Sequence, residues 1–94
     1  DALTALQAAA AAGDSAPNVA LVALSLGQTA YRAANSSKAR ADYERAIRLL
    51  EFSDKTNGSD EAKFLLGVTS LSLGQSLLTE AQGLARGNAG QKAQ

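Results

Sequence analysis

The chain has 94 residues, 46% hydrophobic and 19% charged, with nine Lys+Arg balancing nine Asp+Glu. One small domain is the expectation, large enough to bury a core without staples, and the zero net charge argues against a nucleic-acid binder or a polybasic membrane reader. With no His and no Cys, the usual transition-metal ligands and the commonest catalytic bases and nucleophiles are missing, and a disulfide scaffold is excluded.

Alanine supplies 21 residues and proline one, which predicts an all-α fold. The first predicted helix runs from Ala2 to Ala12 and stops at Gly13. The second begins near Pro17 and ends at Ala34, where Asn35-Ser36-Ser37 supplies a helix stop and a cap for the next. A third spans Lys38 to about Phe52, with Ala39, Tyr43, Ala46, Ile47 and Leu50 recurring at helical spacing. Its other side pairs Lys38 with Asp42, Arg40 with Glu44 and Glu44 with Arg48 at i,i+4. The interleaved acids make Arg40, Arg45 and Arg48 a solvated face rather than a phosphate-binding stripe. A polar loop, Ser53 to Ser59, should follow.

The fourth predicted helix opens on Ser59 as N-cap, with Asp60 and Glu61 against the positive end of the helix dipole, and runs to Arg86. Phe64, Leu65, Leu66, Val68, Leu71, Leu73, Leu77 and Leu78 cover most of its circumference, so it expects neighbours on several sides. Gly67 and Gly74 lie seven apart on one side, where a partner backbone has room to approach. Residues 87–94 read as a turn and tail. The longest apolar stretch, Phe64 to Leu78, is interrupted by polar residues and too short to span a bilayer. No signal peptide is recognisable, and a chain that opens on Asp and contains no Met reads as processed or as an excerpt of something longer. Cysteine usage suits a cytoplasmic and a periplasmic setting equally.

Ser25-Leu26-Gly27-Gln28 recurs as Ser72-Leu73-Gly74-Gln75 at a spacing of 47. Around the first copy, Leu26-Gly27, Ala39, Tyr43 and Ala46 stand at the offsets of a tetratricopeptide repeat, which the chain resembles over residues 16–52. Extending the register backwards makes residues 1–15 the second helix of a truncated repeat, with Pro17 at the family's terminal proline. Residues 16–53 form a full helix–turn–helix, 54–59 a loop, and 60–86 the long helix of the next repeat. The 47-residue spacing implies about thirteen extra residues in that loop and the start of the fourth helix. Ala23, Ala30 and Glu51 depart from the family's Trp, Tyr and Pro, and Arg86 stands at a small position.

The resemblance implies a short α-solenoid of stacked antiparallel hairpins. It places Gly27 and Ala39 where the two helices of one hairpin cross, with Tyr43 filling the wider gap. It also implies a concave groove that binds a peptide or a partner helix, lined by Leu21, Leu24, Gln28 and Tyr31 in one unit and Val68, Leu71, Gln75 and Leu78 in the next. Leu24 and Gln28 do not reproduce the Lys and Asn with which the family's best-known version clamps a C-terminal carboxylate. A scaffold or adaptor function without cofactor, metal or catalysis follows. The alternative is a spacer or self-association module that buries its end faces against another copy, which the apolar girth of the fourth helix favours.

Overall fold

A computed structural model describes residues 2–93, with side-chain surroundings up to residue 86. It contains four helices: α1 (Ala2–Ala11), α2 (Ala16–Ser37), α3 (Arg40–Asn57) and α4 (Asp60–Ala93). The fold is all-helical among the described residues, as the alanine content requires.

α1 closes on a glycine. Gly13 has φ +93°, its N–H donates to Ala10 O at 3.2 Å, and the Asp14 N–H donates to Ala9 O at 3.1 Å. These are the two bonds of a Schellman closure, in which a glycine takes the left-handed position that L side chains resist. Pro17 then enters the first turn of α2, where its missing N–H costs nothing.

α2 and α3 form an antiparallel hairpin, pinned along its length. Ser53 Oγ donates to Ala20 O at 2.7 Å, Gly27 sits against Leu50, and Tyr43 Oη donates to Asn35 Oδ1 at 3.3 Å. The turn lies at Lys38, which takes φ 59° and donates its N–H to Ala34 O at 2.7 Å. Ser37 Oγ accepts the Ala39 N–H at 3.1 Å and donates to Asp42 Oδ2 at 2.6 Å, fastening the start of α3. Leu6, Val19, Ala23 and Leu49 make one core cluster beneath α1; Leu24, Leu50 and Ala62 make the second, beneath α4. Burying a leucine contributes about 1.5–3 kcal/mol, so these clusters hold α1 and α4 to the hairpin.

Several sequence expectations need correction. Ala39 is exposed at the turn rather than at the helix crossing, because α2 continues through Ser37; Leu50 faces Gly27 instead. The polar run from Ser53 is helical as far as Asn57, leaving Gly58 and Ser59 as the whole connection to α4. The run stays helical because Ser53 is buried and bonded to α2 rather than left to water. Lys38 lies in the turn, outside α3, so helical spacing does not bring it to Asp42. Arg40–Glu44, at 2.7 Å, is the ion pair of this surface among the described residues. Gly87 to Gly90 do not end α4, whose backbone stays helical to Ala93.

Candidate functional site

Ser59 fixes where α4 begins: its Oγ accepts the Ala62 N–H at 3.1 Å, the third-residue bond of an N-cap. From there the helix presents two apolar faces of different fate. Ala62, Leu65, Leu66, Thr69, Leu73 and Leu77 recur at three and four and point toward the hairpin; Ala62 and Thr69 are fully buried. Thr69 keeps its hydroxyl satisfied inside that contact by donating to Leu65 O at 2.6 Å.

The opposite face has no neighbour among the described residues. Phe64, Gly67, Leu71, Gly74 and Leu78 follow one another at spacings of three and four, on the side away from the buried stripe. Phe64 is 68% exposed, Leu71 64% and Leu78 59%. A Cβ built on Gly67 or Gly74 meets nothing within 4 Å. The result is a strip of large side chains separated by notches, without an ionisable group from Phe64 to Leu78. Monomeric soluble proteins rarely leave such contiguous apolar surface open.

The eight groove residues expected from sequence separate into different surroundings. Leu24 is buried against Leu50 and Ala62. Gln28 Nε2 donates to Glu61 Oε1 at 2.6 Å, tying the middle of α2 to the first turn of α4. Tyr31 is half-buried, as is Val68 on the flank of α4. Leu21, 65% exposed, borders a shallow hollow with Pro17, Ser59 and Glu61 near the start of α4. Gln75 lines a polar hollow with Asn35, Lys38 and Tyr43; there Ser76 Oγ donates to the Lys38 carbonyl at 3.1 Å and fixes α4 across the end of the hairpin. Leu71 and Leu78 stand together on the open outer face. Phe64, their third large neighbour, was missing from the sequence-based set, although its spacing of seven from Leu71 marks it as sharing that side.

No family model, curated protein or solved structure matches this chain. The site therefore rests on its own geometry. The two Ser-Leu-Gly-Gln copies illustrate it: Gly27 is buried under Leu50, whereas Gly74 looks into open space. The glycine of the motif lies inside a helix–helix contact in α2 and on an open face in α4. Electrostatics play a minor part: on α3 the hydrogen bond that Arg40 donates to Glu44, and then the Glu44 charge, raise Arg40 above the ordinary arginine value. Among the described residues no helix is long and apolar enough to cross a membrane.

Proposed function

We propose that this chain is a protein-interaction module, a non-catalytic helical scaffold that receives a partner helix along the outer face of α4. The observation that carries the reading is the contrast between its two glycine-bearing contacts. Gly27 admits Leu50 of a packed helix, whereas the Phe64–Leu78 strip sets Gly67 and Gly74 among exposed large side chains with no helix laid on them. A helix-in-groove mode recognises apolar anchors at helical spacing, which is the surface on offer.

A tetratricopeptide-like ancestry is part of the same proposal. Its support is the buried state of Gly27, Tyr43 and Ala46 within one hairpin. The unit is long for the family: α2 begins at residue 16 and α4 at residue 60, a start-to-start spacing of 44 against the family's roughly 34. On this reading Leu71 and Leu78 belong to the docking surface, while Leu24 and Gln28 serve to seat α4.

The test is affinity capture with the wild-type chain, a Leu71→Glu/Leu78→Glu variant and a Lys55→Glu control, each checked for helicity by circular dichroism. Both leucines are more than half exposed, so the charges leave the hairpin intact. The expected result is a retained protein, another copy of the chain included, that the double variant loses at least tenfold and the control keeps. Equal retention by all three would remove the docking role from this face.

A further inference from the structure

We infer that the occupant of the α4 outer face is a second copy of the same chain, packed antiparallel about a two-fold axis that crosses this face midway between Leu71 and Gly74. The inference rests on the docking role proposed above and names its partner. The strip is self-complementary in one register. Reversing the helix about that axis sets Leu71 against the notch at Gly74 of the other copy, Leu78 against Gly67, and Phe64 against Ala81. Every large side chain then meets a small one, as interdigitated helices require. A parallel pair in register would instead oppose Leu71 to Leu71 and Gly67 to Gly67, leaving clashes and voids in alternation.

Charge points the same way. Asp60 continues the strip at one end, four residues before Phe64, and exposed Arg86 lies at the other. The antiparallel register brings Asp60 of each copy to the Ala85–Arg86 step of its partner. A parallel pair would instead gather Asp60 of both copies at one end, with like charges opposed and the helix dipoles aligned. The hairpin does not interfere, since it packs on the opposite face of α4.

The area is sufficient. From Phe64 to Ala85 the strip is about 32 Å long at 1.5 Å per residue. Its three large side chains, each 59–68% exposed, together with Gly67, Gly74 and the exposed Ala81 and Ala85, offer on the order of 500–600 Å² per copy. Two copies would bury roughly 1,000–1,200 Å², at the lower edge of stable specific interfaces. The pair is thus expected to exchange with monomer at micromolar concentrations rather than to be permanent.

Sedimentation equilibrium on the 94-residue chain at about 100 µM tests this. The expected mass is twice the 9.6 kDa of one copy, falling to one copy for Leu71→Glu. The double variant Gly67→Ala/Gly74→Ala should weaken association at least tenfold by filling the notches, while raising the melting temperature of the dilute monomer. Orientation is read by oxidising an equal mixture of Leu78→Cys and Gly67→Cys chains, which is clean because the protein has no cysteine of its own. A mixed covalent dimer is expected; only like-with-like dimers would overturn the antiparallel arrangement. A single-copy mass for the wild type, or a double mass that survives Leu71→Glu, would overturn the inference. Capture of a different protein through Leu71 and Leu78 would then leave the docking role standing, whereas capture of nothing would remove both.

Discussion

Substituting alanine for glycine should have opposite effects at Gly27 and Gly74, although both stand in the same four-residue motif inside a helix. Alanine gains about 1 kcal/mol over glycine in a helix interior. At Gly74 nothing offsets that gain, because the new methyl meets no atom within 4 Å. At Gly27 it would lie 2.7 Å from Leu50 Cδ2 and 2.8 Å from Leu50 Cγ, against an ordinary carbon–carbon separation of about 3.5–4.0 Å. Leu50 is fully buried and packs on Leu24 and Ala62, so it has little room to retreat. Overpacking of this kind costs about 1–3 kcal/mol, which cancels the propensity gain or exceeds it by as much as about 2 kcal/mol. Gly74→Ala should therefore be more stable than Gly27→Ala by about 2 kcal/mol, on the order of 10 °C in melting temperature for a domain of this size. Urea denaturation followed by circular dichroism, in a Leu71→Glu background to suppress association, measures the difference directly. Equal stabilities, or a more stable Gly27→Ala, would refute the claim that α2 closes on α3 at Gly27.

Two further substitutions probe the hairpin. Ser53→Ala removes the buried bond to the Ala20 carbonyl and should cost about 1 kcal/mol in urea denaturation; no loss would mean that this end of α3 is not held by α2. Lys38→Gly relieves a non-glycine residue at φ 59° and should raise stability by about 0.5–1 kcal/mol, read as a higher melting temperature.

The helices were legible where local chemistry decides them. Alanine content, Gly13 and Pro17 act through the residue's own backbone preferences, and Ser59 through a side-chain bond to a backbone N–H three residues on. The end of α3 was not legible, because Ser53, Asp54 and Asn57-Gly58 have the composition of a loop. A hydrogen bond to Ala20, thirty-three residues away, keeps Ser53 inside the helix. Ala39 misled for a related reason: its spacing from Gly27 suits a shorter hairpin, and only the continuation of α2 to Ser37 moves it into the turn.

The site shows the same division. That Leu71 and Leu78 share a side could be read from sequence, since a spacing of seven needs no knowledge of neighbours; that this side is the open one could not. Leu24 and Gln28 follow the same helical logic but meet α4, and that meeting depends on how a two-residue connection turns the chain. Ser25-Leu26-Gly27-Gln28 and its copy likewise look equivalent as text. Their environments differ because a helix arrives at Gly27 and none arrives at Gly74.

The outer face of α4 is, on the function proposed above, where this protein meets its partner. Placing a photo-crosslinking benzoylphenylalanine at Leu71, and separately at exposed Lys55 on α3, tests it most directly. A single discrete adduct is expected from position 71 after irradiation, identified by mass spectrometry, and none from position 55. Adducts from 55 alone, or from neither position at concentrations where association is measured, would contradict that role for the outer face.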